Sequence, residues 1–150
     1  MLVLPCDDRM NTIELKRRLL EEGCSPYNFS IGPGGSDVFC LEQQNGVWRV
    51  FYTERGKDGL PIFESRSETE ACEFYFDYIT TKIRHDHLAG FFISEQNALS
   101  LELQLAQNGI PSHRDKIPYG GWSDPRYRVF VVGKDIFKAR AVLGEIPLKD

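Results

Sequence analysis

His85-Asp86-His87 is the tightest cluster of potential metal ligands in the chain. Imidazole nitrogens and carboxylate oxygens both suit zinc, and a third donor would have to come from Cys24, His113 or a distant acid. Nothing in the spacing selects one of these. At the end of a helix, residues two apart point to nearly opposite sides, so the imidazoles converge only if the chain is extended there. The competing reading is an exposed helix end, where protonated histidine complements the dipole. No metal and no cofactor is expected.

Cysteine chemistry fares no better. A thiolate nucleophile needs an adjacent base. Cys72 falls on an apolar helix face, Cys40 lies in a strand and Cys24 follows a helix end whose dipole disfavours a thiolate. Gly32-Pro33-Gly34-Gly35 resembles a phosphate cradle only superficially. It lacks the following Lys-Ser/Thr and leads into a strand, so no helix N-terminus is offered to an anion. GxSxG, HExxH and Walker patterns are absent, and no catalytic residue is assigned.

Two surface segments carry more information. Glu54-Arg55-Gly56-Lys57-Asp58-Gly59 is a hairpin tip of mixed charge after a hydrophobic strand, either a solvated turn or a contact surface. Tyr119, Trp122 and Asp124 share a Gly/Pro-rich loop over residues 117–125. Exposed Tyr and Trp are enriched at binding hot spots, although Trp122 could equally fold back as a lid on its own core. Arg126, Arg128, Lys134, Lys138 and Arg140 lie nearby, and aromatic-plus-basic surfaces can hold single strands. The net charge of -4 and the lack of a nucleoprotein signature argue against a nucleic-acid partner.

These segments need a scaffold. Asn11-Thr12-Ile13-Glu14 reads as a capped helix start, with Leu15, Leu19 and Leu20 on one face and Gly23 at its end. Residues 1–10 before it read as a loosely held arm. Strands are expected at 27–31, 37–42, 47–54 and 60–64, with Asn45-Gly46 favouring a tight hairpin and Asp58-Gly59 a further reversal. Both faces of 47–54 are largely apolar, the mark of a central, covered strand. Ser67-Glu68-Thr69-Glu70 opens a helix reaching about residue 84, burying Cys72, Phe76, Ile79 and Ile83, with Tyr75 and Tyr78 beside that stripe. Residues 85–93 read as a connector. Ser94 caps a third helix with Ala98, Leu101 and Leu105 on one side, stopping at Asn108-Gly109. Strands near 110–117 and 127–132 and a helix from about 135 to 143, ended by Gly144, complete the chain.

The fold class that follows is α+β, an antiparallel sheet packed with about four helices in a single domain, residues 1–150. Leu15, Leu19 and Gly23 align at one offset with Leu101, Leu105 and Gly109. That echo offers two related helix–strands–helix subdomains, 11–85 and 94–144, against ordinary helix punctuation. A chain of 150 residues buries enough surface for a core without staples. Cys6, Cys24, Cys40 and Cys72 show no paired spacing, and no disulfide is expected. The start, Met1 to Asp8, turns acidic before any long apolar run, and no stretch approaches a membrane span of about 20 residues. A cytoplasmic protein without membrane contact is expected. Residues 1–75 hold 13 acidic and 8 basic side chains, net -5, and residues 76–150 hold 9 and 10, net +1. Such asymmetry steers a basic partner toward the first half.

One stretch carries a family resemblance. Cys40-Leu41-Glu42 leads to Trp48-Arg49-Val50-Phe51-Tyr52-Thr53-Glu54-Arg55-Gly56, then Phe63-Glu64-Ser65 and Glu70-Ala71-Cys72. Over roughly the first 85 residues this resembles small bacterial immunity proteins of polymorphic toxin and contact-dependent growth inhibition systems. The resemblance implies a non-enzymatic cytosolic antidote that binds and blocks one cognate toxin domain, often a nuclease. Contact roles then fall to Glu54, Arg55 and Asp58 at the tip, and to Tyr119, Trp122 and Asp124 on the aromatic loop. The alternative is a small-molecule or regulatory sensor, which needs a concave apolar pocket with convergent polar groups.

Overall fold

The structure, a computed structural model, describes residues 9–150. It is α+β, with four α-helices, and its contacts divide the chain into two units, Met1–Arg84 and His85–Asp150. The strands form two sheets, one in each unit. Of the arm expected over residues 1–10, the first eight lie outside the described residues, as does Cys6. Arg9 is exposed, but Met10 is buried in the first unit's core.

The first unit starts with α1 (Thr12–Glu21). The Asn11 carboxamide oxygen accepts from the Glu14 amide at 2.8 Å, a cap worth about 1 kcal/mol. The reciprocal half of the capping box is replaced: the Glu14 carboxylate turns to Arg17 and Arg18. A second carboxylate serves the helix start instead, since the Thr12 amide donates to Glu68 at 3.1 Å. Leu15 and Leu19 are fully buried.

A short 3-10 turn (Pro26–Asn28) leaves only Ser30–Ile31 of the expected first strand as β1. Proline at the turn's first position presets its backbone angle. β1 pairs in parallel with β2 (Val38–Gln44), which pairs antiparallel with β3 (Val47–Glu54) through Asn45-Gly46. β4 (Lys57–Asp58) and β5 (Phe63–Ser65) both lie along the other side of β3, so β3 is central as expected. The reversal after β3 falls at Arg55-Gly56, and Asp58 instead ends β4, with Gly59 opening the segment to β5.

α2 (Glu68–Lys82) is capped by Ser67, whose hydroxyl accepts from the Glu70 amide at 3.1 Å. Its buried positions are Ala71, Cys72, Tyr75 and Ile79. Tyr75, expected at the stripe's edge, is its largest fully buried side chain, while Ile83 lies past the helix end in extended backbone. The other sheet face buries Val38, Cys40 and Phe51. A Cβ on Gly35 would fall 2.6 Å from the Cys40 sulfur, so the last glycine of the cluster packs closely over this patch.

The second unit departs most from expectation. Residues 85–93, read as a connector, contain β6 (Asp86–Phe92), a central strand. Its polar start hides it, and a bulge between Leu88 and Gly90 interrupts the alternation on which recognition of a strand depends. α3 (Glu95–Gln107) follows, capped by Ser94 and burying Ala98, Leu101 and Leu105. Then come β7 (His113–Ile117), β8 (Arg126–Val132), α4 (Asp135–Leu143) and β9 (Leu148–Lys149). The sheet order is β7-β8-β6-β9, with β8 antiparallel to both β6 and β7, a split β-α-β plan. β9 runs parallel to β6. Ala89, Phe92, Val129 and Val131 meet the helices in one core. Asp150 fastens the last strand: its carboxylate accepts from the Ile93 and Ser94 amides at 2.8 and 3.0 Å.

The Leu-Leu-Gly echo is a shared helix ending. Gly23 and Gly109 both take positive φ, 77° and 73°. The Cys24 amide reaches the Leu19 carbonyl at 3.0 Å, and the Ile110 amide reaches that of Leu105 at 2.9 Å. This is the glycine-terminated helix end that also buries the next residue. The units then differ, since β6 precedes α3 while no strand precedes α1 among the described residues.

Candidate functional site

The tip between β3 and β4 is a two-residue turn with positive φ at both positions, 51° at Arg55 and 78° at Gly56. That geometry matches the right-handed twist of paired strands, and the Asn45-Gly46 turn repeats it with 53° and 77°. Glycine tolerates such angles freely; arginine does not. An outside contact compensates: the Arg55 amide donates to the Asp37 carboxylate at 2.9 Å, across 18 residues. Behind the turn, the buried Thr53 hydroxyl donates to the Lys57 carbonyl at 3.4 Å. The Gly59 amide donates to the Tyr52 carbonyl at 2.7 Å, an approach that leaves little room for a side chain at 59.

Glu54, Arg55, Lys57 and Asp58 are all exposed, and among the described residues none of the four forms an ion pair. With Tyr52 and Gly59 they line a surface depression of about 430 Å³. A smaller one, about 190 Å³, is lined by Tyr27, Asn28, Asp37, Val38, Phe39, Tyr52 and Ile83, so Tyr52 lines both. Leu60, 89% exposed, follows the tip directly. Tyr27, Asp37, Tyr52 and Leu60 join the surface although sequence reasoning left them out. Tyr27, Asp37, Tyr52 and Leu60 all fall within expected strands, and Asp37 acts on a residue too distant for any local pattern to flag.

The aromatic loop between β7 and β8 belongs to the second unit. Trp122 is 67% exposed and Tyr119 63%, so Trp122 is no lid on its own core. The Gly120 amide donates to the Asp124 carbonyl at 2.9 Å, and the Asp124 amide to the Gly121 carbonyl at 3.0 Å. The Asp124 carboxylate pairs with Arg126 at 2.7 Å, and the Arg126 guanidinium stacks 4.3 Å over the Tyr119 ring. Asp124 therefore holds the loop. Tyr119 also meets Phe91 edge to face, while the Lys116 ammonium lies 6.0 Å from the Trp122 ring. Glu54, Arg55 and Asp58 are thus gathered on one turn, and Tyr119, Trp122 and Asp124 on one loop of the other unit.

The remaining candidates disperse. His85 is buried, Asp86 and His87 stand on β6, and the Asp86 carboxylate lies 3.7 Å from His113. Among the described residues no three His, Cys, Asp or Glu side chains are grouped to hold a metal ion. Burial pushes the thiol of Cys24 up to about 11 and that of Cys72 up to about 12, which opposes a thiolate. Of the basic cluster, Arg126 is paired with Asp124, and Arg128 with Asp115 at 2.5 Å. No helix among the described residues is long and apolar enough to cross a membrane.

Compared with known proteins, the chain matches no family model, no curated protein and no solved structure.

Proposed function

We propose that this chain acts by binding another protein, as a non-enzymatic immunity protein that neutralises one cognate toxin domain in the cytoplasm. The observation that carries the reading is the β3–β4 tip. Four charges that form no ion pair among the described residues stand on a backbone turn held from outside the hairpin, beside exposed Tyr52 and Leu60. Exposed charges with no internal partner keep their full capacity for charge-assisted bonds to another surface. A pre-set turn also loses less conformational freedom on association. The surplus of acid over residues 1–75 favours a basic partner, as a nuclease cleft would be. Trp122, exposed on a loop fixed by its own hydrogen bonds, supplies a rigid aromatic anchor of the kind that dominates hot spots.

One observation favours the alternative, a small-molecule or regulatory sensor. A shallow trough of about 450 Å³ runs along α1, lined by Thr12, Ile13, Lys16, Arg17, Leu20 and Ile31. It is apolar but offers few convergent polar groups, and specific ligand recognition needs several.

The deciding experiment is a pull-down of the tagged full-length chain from its native cells, followed by native mass spectrometry. A stoichiometric complex with one toxin-like fragment supports the proposal. Recovery of the chain alone, under conditions where a toxin is shown to be expressed, rejects it. Ligand-dependent stabilisation without a protein partner would transfer the assignment to the sensor.

A further inference from the structure

We infer that Asp37 is the positioning residue of the recognition tip, setting the shape of the Arg55-Gly56 turn from outside the hairpin that carries it. The inference rests on the binding reading above and adds to it a residue that does not itself have to touch the partner. The argument begins with the backbone. A two-residue hairpin turn with both φ values positive is best served by asparagine or aspartate followed by glycine, as at Asn45-Gly46. At the tip, arginine occupies the first of these positions, with a φ of 51°. Arg55 has no short polar side chain to satisfy its backbone locally, so this turn is less self-sufficient than its neighbour.

Asp37 supplies what is missing. It precedes β2, whose first residue, Val38, pairs with Thr53 two positions before Arg55. The strand pairing therefore delivers the Asp37 carboxylate to the tip, where it accepts the Arg55 amide at 2.9 Å. Asp37 itself has a φ of 50°, a conformation open to Asp and Asn more than to most residues. A charged acceptor makes a stronger bond to an amide than a neutral one. The consequence is a fixed order of charge, Glu54, Arg55, Lys57 and Asp58, presented before any partner arrives. The partner that fits carries the complementary pattern, cations facing Glu54 and Asp58 and an anion facing Arg55 and Lys57.

The test uses the full chain and three variants, Asp37→Asn, Asp37→Gly and Asp37→Ala. Asn keeps both the acceptor and the tolerance for positive φ; Gly keeps the tolerance alone; Ala keeps neither. Hydrogen exchange at the Arg55 amide, read by NMR on the free protein, should be about fivefold or more faster in the Gly and Ala variants. The Asn variant, a neutral and weaker acceptor, should stay closer to wild type than either. Dissociation of the protein captured in the pull-down should accelerate about tenfold in the Gly and Ala variants and recover in Asn. Wild-type exchange in Asp37→Gly overturns the inference, because the acceptor would then hold nothing. Accelerated dissociation that Asn fails to rescue overturns it too, since the Asp37 charge would then be contacting the partner directly. Failure to capture any partner defeats the binding reading, whereas the exchange data still decide whether Asp37 holds the turn.

Discussion

The Tyr75 hydroxyl, on a fully buried side chain, donates to the Phe39 carbonyl at 2.6 Å across 36 residues. It also accepts the Ser30 amide at 2.9 Å, so one phenol on α2 fastens both β1 and β2. Burial raises the hydroxyl's pKa well above the usual tyrosine range, which keeps it a neutral donor. Removing only the oxygen, in Tyr75→Phe, preserves the ring packing and strands two backbone groups. The expected loss is about 1–3 kcal/mol in urea unfolding with an unchanged m-value. A stability equal to wild type would mean that water or a shift of β1 satisfies these groups instead.

α1 should carry an acid-sensitive share of stability. Hydrogen bonding to Arg17, with a further bond from Arg18, holds the Glu14 carboxyl at about 2, against its ordinary 4.5. The folded value is the lower one, so the folded state favours the charged form. Its contribution is complete above the unfolded pKa and fades as pH falls from about 4.5 through 2. The Glu14 side chain is 30% exposed, and salt will screen part of the effect. Urea midpoints at pH 6, 4 and 2.5 should therefore fall less steeply for Glu14→Gln than for wild type. Parallel pH profiles for the two proteins would remove Glu14 as the source.

Gly35 gives a packing test. A Cβ there would lie 2.6 Å from the Cys40 sulfur and 2.8 Å from the Ser30 hydroxyl oxygen, and φ imposes no separate constraint. Gly35→Ala should cost about 1–3 kcal/mol by overpacking. Cys40→Ala removes the nearest obstructing atom, so the double variant should be more stable than the sum of the singles predicts. A coupling of about 0.5 kcal/mol or more is expected from atoms this close. Strict additivity would show that the turn relaxes away from Cys40.

What could be read from the sequence follows the range of the interactions involved. β3 was legible to its ends because alternation and the Asn45-Gly46 turn are both local, and α4 because Gly144 marks its stop. β6 was hidden because Asp86 and His87 open it and the bulge shifts the side-chain parity midway. Helical angle alone ranks Tyr75 at the edge of its stripe, whereas its hydroxyl bonds backbone distant in sequence and the side chain is fully buried. At the tip, the charged residues were visible as a run, whereas Asp37 acts through a contact 18 residues away. Pairing of β2 with β3 creates that proximity, and no spacing rule encodes it.

Trp122 separates a binding role from a folding one. Two-thirds of its surface is exposed, and its loop is closed by backbone bonds between Gly120, Gly121 and Asp124 in which the indole takes no part. Trp122→Ala should therefore change unfolding stability by no more than about 0.5 kcal/mol, the usual range for surface positions. If the aromatic loop anchors a protein partner, the same variant should weaken capture by about tenfold or more, as hot-spot truncations do. Tyr119 provides the internal control, because its ring supports Arg126 and Phe91, and Tyr119→Ala should lower stability as well as binding. The Glu54→Ala/Asp58→Ala variant adds the other unit's surface, with a loss of affinity that shrinks as salt rises. Wild-type capture by both the Trp122 and the Glu54/Asp58 variants would remove the tip and the loop from the interface. Loss of capture in only one assigns recognition to that unit.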